Sequence, residues 1–174
     1  GVGRAAAETF SAAGCKVVLV ARGQHGIDGV VDICTNLGVV AIGISADVSV
    51  AKDVEKIAEK TLEHFGRIDV WVNNAGVMAN GKFEEIPMEI HEQVIKTNLF
   101  GYMHGAYNAI KIFKEQQYGT LINNISIGGM MPAPFSAVYS SSKYGIKGMM
   151  EGLRAEVSNH NNIHICNIYP QLQN

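Results

Sequence analysis

The chain has 174 residues, 47% of them hydrophobic, enough for one domain with a substantial buried core and too apolar for a disordered chain. Fourteen basic against sixteen acidic residues leave a net charge of −2, so no overall field draws in nucleic acid or an anionic membrane surface. Cys15, Cys34 and Cys166 are odd in number and form no Cys-x-x-Cys pair, which argues against zinc and a disulfide framework; with neither a signal peptide nor a membrane-length apolar run, a cytoplasmic protein is expected.

Residues 4–13, "RAAAETFSAA", are small helix formers that Gly14 would terminate, and "CKVVLVA" at 15–21 follows as a β-branched apolar strand. A second strand is expected over 39–46. Ser49 is then positioned to cap a helix over about 50–65, on which Val54, Ile57, Ala58, Leu62 and Phe65 share one face. Gly66 closes that helix, and "IDVWVNNAG" at 68–76 gives a strand ending in a polar turn. Helical pattern runs from Pro87 to about Gln117, a strand from 119 to 126, a long helix from 136 to 158 and a last strand from 163 to 169. Helices alternating with strands apolar on both faces predict a doubly wound, mostly parallel α/β sheet covered by helices on each side, as a single domain over residues 1–174.

Chemistry enters through short motifs. "GVG" at 1–3 runs directly into a small-residue helix, as in loops whose glycines let backbone approach a pyrophosphate at a helix N-terminus. Tyr139 and Lys143 in "YSSSK" stand four apart and so share one helix face. A free phenol is a poor acid-base group at neutral pH, yet an ammonium about 6 Å away at an effective dielectric near 20 favours phenolate by roughly 3 kcal/mol. Ser126, thirteen residues before Tyr139, ends a strand, where active-site residues of open parallel sheets gather. Each motif alone is weak: a Tyr/Lys pair on a helix is usually surface decoration, and a serine often simply finishes a strand.

Taken together, "GVG", "DV" at 47–48, "NNAG" at 73–76, "TNLFG" at 97–101, "INNIS" at 122–126 and "YSSSK" at 139–143 resemble the short-chain dehydrogenase/reductase family over essentially the whole chain. The resemblance implies a Rossmann-like fold and reversible hydride transfer between a nicotinamide cofactor and a carbonyl or secondary alcohol. It implies that Tyr139 is the acid-base group, that Ser126 holds the carbonyl oxygen, that Lys143 tunes the tyrosine and contacts the ribose, and that Asn98 disturbs its helix to hold a relay water. Cofactor contacts are implied for Gly1, Gly3, Asp47, Val48, Asn73, Ala75 and Gly76, besides Tyr139 and Lys143. At the end of the "VVLVAR" strand an acidic residue would select NAD; Ala21 stands there with Arg22 beside it, so NADP(H) is expected, with NAD(H) the alternative.

Met130, Met131, Pro132, Pro134 and Phe135 occupy the stretch where the family builds a substrate wall, which suggests an apolar carbonyl substrate. His160 and His164 have zinc-like spacing but no acidic or cysteine partner nearby, so no metal site is expected. The helix around 99–113 is apolar on nearly every side and is expected to be buried all round, partly against another subunit in a homodimer or homotetramer. In the family's strand order 3-2-1-4-5-6 a central first strand precedes "GVG", so a gap is expected between the strands at 15–21 and 68–72. Gln171 in "NIYPQLQN" replaces an expected glycine, and residues beyond both ends of the sequence are expected. A catalytically silent cofactor-sensing or scaffold protein of the same fold is the alternative function.

Overall fold

The computed structural model describes residues 1–171; the end of "NIYPQLQN", residues 172–174, lies outside the described residues. Helices α1 (Val2–Ala12), α2 (Gln24–Asn36), α3 (Ala51–Phe65), α4 (Met88–Ile95), α5 (Gly101–Gln116) and α6 (Ala137–Glu156) alternate with strands β1 (Val17–Ala21), β2 (Ala41–Ser45), β3 (Val70–Asn73), β4 (Gly119–Asn124) and β5 (Ile163–Ile168). Every strand pairing is parallel, and the strands form two ladders, β1–β2 and β3–β4–β5. The break falls between β1 and β3, where the gap was expected, so each of these strands carries backbone groups with no ladder partner on one side among the described residues.

Strand alternation shows how helices cover both faces. A Cβ on Gly43 would meet Ile27 of α2, whereas its neighbour Ile44 packs with Ile57 of α3 on the opposite face. In the other ladder Leu121, Ile163 and Ile165 turn toward α5 and α6 and join Phe113, Ala109, Ile146 and Met150 in the main core. The opposite face of that ladder is open among the described residues: Val70 and Val72 are each 38% exposed, and Ile168 is exposed on the same face across β4.

Local chemistry explains most boundaries. Gly66 ends α3 with φ 77°, a left-handed turn that costs glycine nothing, and its N–H donates to Leu62 O at 2.7 Å. Three differences from expectation stand out. Ser49 does not cap α3, because Asp47 Oδ1 accepts both its hydroxyl, at 2.7 Å, and its N–H; the helix starts one residue later than expected, at Ala51. Helix α2 has no counterpart among the expected elements. Gly26 and Gly29 each weaken it by about 1 kcal/mol relative to alanine, and packing of Ile27 and Cys34 holds it instead. Helix α5 is buried on one face only: Tyr102, Ala106, Ala109 and Phe113 point inward, while Met103 and Tyr107 are exposed, Tyr107 at 65%, as is Phe100 just before the helix. No helix among the described residues is long and apolar enough to cross a membrane.

Candidate active site

The C-terminal ends of β3 and β4 carry the site. Beyond Asn124 the chain passes through Ile125 to Ser126, whose φ of 100° is a conformation L side chains rarely adopt and which costs about 1–3 kcal/mol. Neighbouring backbone bonds hold it there: Ile125 N donates to Ile168 O at 2.9 Å, Ile127 N to Pro170 O at 3.1 Å, and Gly129 N to Ser126 O at 3.0 Å. Ser126 Oγ accepts the Gly128 N–H at 3.2 Å, which leaves its own hydroxyl proton to point elsewhere. Gly128 also joins two functional groups. A Cβ on it would lie 2.9 Å from Tyr139 Cε1 and 3.7 Å from Ser126 Oγ, so the tyrosine ring rests on bare backbone next to the serine.

Tyr139 and Lys143 do share one face of α6, and Lys143 Nζ lies 5.6 Å from the Tyr139 ring centroid. Lys143 is only 3% exposed, and Nζ donates to Asn124 O at 3.3 Å. Burial strips water from the ammonium and pulls its pKa down from 10.5 to about 8. The Tyr102 ring also lies against the ammonium, 4.9 Å from Nζ, and its hydroxyl donates to the same Asn124 carbonyl at 2.6 Å.

Asn98 sits fully buried in a π turn, Lys96–Phe100, between α4 and α5, which is the local helix disturbance expected of it. Its side chain is committed: Oδ1 accepts Val77 N–H at 2.8 Å, and Nδ2 donates to Val77 O at 2.9 Å and to Ser142 Oγ at 3.0 Å. The Ser142 hydroxyl donates in turn to Tyr139 O at 2.6 Å. A Cβ on Gly76 would stand 3.4 Å from Asn98 Oδ1 and 3.6 Å from Lys143 Nζ, so the glycine keeps an open approach to both.

The other predicted positions divide in two. Ala21 and Arg22 are exposed at the end of β1, and Ser45 Oγ donates to Arg22 O at 2.9 Å. Asp47 follows β2; hydrogen bonds from Ser49, with a smaller contribution from the Arg22 charge, hold its carboxyl below the usual carboxylate range. Val48 packs against Gly101, where an added Cβ would lie 2.8 Å from Val48 Cγ2, and His104 Nδ1 bonds Val48 O at 2.9 Å. Gly1 precedes α1, and a Cβ on Gly3 would lie 2.8 Å from Asn74 Nδ2, so the start of α1 abuts the turn that contains Ala75 and Gly76. Asn73 belongs to the sheet interior: its Nδ2 donates to Asn123 Oδ1 at 3.0 Å and its Oδ1 accepts Trp71 Nε1–H at 3.0 Å.

A broken parallel sheet with helices on both faces and polar groups gathered at its carboxyl ends defines a Rossmann-like α/β protein. The family model described as short chain dehydrogenase matches residues 1–173. The chain belongs to the short-chain dehydrogenase family. It is 31% identical over 171 residues to an uncharacterized oxidoreductase of Listeria monocytogenes, covering 98% of this chain and 69% of the relative. It is 35% identical over 159 residues to a 3-oxoacyl-[acyl-carrier-protein] reductase of Synechocystis, covering 91% and 64% respectively. Among solved structures, a short-chain dehydrogenase/reductase of Burkholderia phymatum in complex with NAD superposes with a TM-score of 0.95 at 29% identity, over 99% of this chain and 62% of that one. The chain thus spans roughly two thirds of the length of these proteins.

Residues absent from the sequence prediction also shape the site. Tyr102, Ser142 and Asn124 contact the lysine or the asparagine directly, and Gly128 seats the tyrosine. Two of these had a signal: Ser142 lies within "YSSSK" and Asn124 within "INNIS".

Proposed function

We propose that the protein is an oxidoreductase that transfers a hydride between NADP(H) and a carbonyl or secondary alcohol with an apolar body, acting in the cytoplasm as a homodimer or homotetramer. The observation that carries this is the cluster of Ser126, Tyr139, Lys143 and Asn98 around Gly76 and Gly128, two positions where side chains are missing. These residues fit a nicotinamide cofactor. Lys143 Nζ spends one N–H on Asn124 O, which leaves two for ribose hydroxyls, and Gly3 and Gly76 leave backbone accessible. The bound cofactor supplies or accepts the hydride.

Every other role falls to the chain itself. Ser126 donates its hydroxyl proton to the carbonyl oxygen, since its lone pair already takes Gly128 N–H. Tyr139 gives a proton to the developing alkoxide in reduction and removes it in oxidation. Lys143, charged below about pH 8, stabilises the phenolate. The side chain of Asn98 is fully engaged, so its relay role passes to backbone carbonyls that the π turn releases for a water beside Lys143. Preference for NADP(H) is supported by Ala21 in place of an acid and by the exposed Arg22. Exposed Met130, Met131 and Phe135 suit an apolar substrate, and the uncovered apolar face of α5 supports self-association. Tyr139→Phe tests the core assignment: carbonyl reduction should fall by about 10²-fold or more, while NADPH binding followed by fluorescence stays unchanged. Undiminished turnover would refute it.

A further inference from the structure

The mechanism above leaves Tyr102 without a role, although it is among the most buried side chains in the molecule at 1% exposure. It lies on α5, four residues after Asn98, and so faces the same cleft. Its ring stands 4.9 Å from Lys143 Nζ, against 5.6 Å for Tyr139, so the ammonium has two tyrosine rings within cation–π range. Its hydroxyl holds Asn124 O at 2.6 Å, and Lys143 reaches the same carbonyl only at 3.3 Å.

We infer that Tyr102 is a positioning residue for the proposed hydride-transfer site, in which its ring keeps the Lys143 ammonium charged. This inference rests on the oxidoreductase assignment above. An aromatic face attracts a desolvated cation through its quadrupole, and Lys143 has lost nearly all its water without gaining a carboxylate among the described residues. The titratable groups facing the ammonium are Tyr102 from α5 and Tyr139 from its own helix; β4 offers the Asn124 carbonyl, and the turn at 76–77 offers Gly76 backbone. Burial pushes the Tyr102 phenol up, so it remains a neutral donor at any pH where Lys143 titrates.

The test is an NMR titration of the Lys143 side chain in the cofactor-free protein, together with the pH profile of turnover. Tyr102→Leu should lower the Lys143 midpoint by roughly one pH unit, a tenfold loss of proton affinity, and Tyr102→Met, which fills more of the site, should do the same. Tyr102→Phe keeps the ring and should leave the midpoint within about a third of a unit. In the Leu and Met variants the alkaline limb of kcat should shift with the midpoint, while KM for the carbonyl substrate holds. An unchanged midpoint in folded Leu and Met variants, or an equal drop in the Phe variant, would overturn the role of the ring. Absence of turnover in the unmodified protein would instead sink the oxidoreductase assignment, and the NMR midpoints would still report on the contact itself.

Discussion

Replacing Lys143 with methionine should make the protein more stable at neutral pH while inactivating it. The lysine is buried, and its pKa falls from 10.5 to about 8. Below pH 8 both the folded and the unfolded chain carry the charge, and the folded chain bears the full penalty of holding it away from water. Between pH 8 and 10.5 the unfolded chain binds a proton that the folded chain has released, so stability rises with pH across that window and levels off above it. The drop in pKa corresponds to about 3 kcal/mol. Methionine has a similar shape without the charge, and Asn124 O keeps its bond from the Tyr102 hydroxyl, so no carbonyl is orphaned. The lost cation–π contacts with the two rings subtract about 2 kcal/mol, which leaves a net gain of about 1 kcal/mol near pH 7. Urea denaturation followed by the fluorescence of Trp71, the single tryptophan, measures the gap between the two proteins at several pH values. The methionine variant should lead near pH 7 and lose that lead by about pH 10.5. A gap that is constant across the window, or a methionine variant less stable at pH 7, would refute the reasoning.

Gly105→Ala should destabilise the protein by about 2–4 kcal/mol in the same denaturation assay, because the new Cβ would lie 2.1 Å from Asn73 Oδ1 and 2.8 Å from Trp71 Nε1. Arg22→Ala should weaken NADPH binding about tenfold or more in a fluorescence titration and leave NADH nearly unaffected. Equal effects on both would remove the basis for cofactor selection. Tyr107→Glu, which places a carboxylate on the exposed apolar side of α5, should convert the expected dimer or tetramer to monomer in light scattering.

The fold was legible because periodicity carries over long distances. Alternating helix and strand patterns locate the five described strands to within a few residues, and the break between β1 and β3 follows from the strand order of the family the sequence resembles. Helix α2 escaped because its glycines and β-branched residues hide a helix that exists through contacts with β2. At the site, spacing put Tyr139 and Lys143 on one helix face, and the family resemblance supplied their roles and the disturbed helix at Asn98. The sequence could not announce what surrounds them. Tyr102 meets Lys143 across 41 positions of chain, and Asn98 meets Ser142 across 44, distances at which no local pattern survives. Ser142 shows the limit best: within its own motif it reads as one of three interchangeable serines, yet it alone among them is completely buried and ties Asn98 to the Tyr139 carbonyl.

Asn73, Asn123 and Asn167 stand opposite one another on three neighbouring strands, and their side chains are joined edge to edge, Asn123 Nδ2 reaching Asn167 Oδ1 at 3.3 Å. Three amides at one height act as an alignment gauge. A slip of one residue would turn the core side chains outward, and a slip of two would leave buried amides facing apolar neighbours at about 1–3 kcal/mol for each unmet group. The residue immediately above the gauge on β4 is Asn124, whose carbonyl receives both Tyr102 and Lys143, and Ser126 follows two residues later. The height of the proton-transfer apparatus is therefore set by the sheet beneath it, so an error in strand alignment would be felt as a misplaced ammonium.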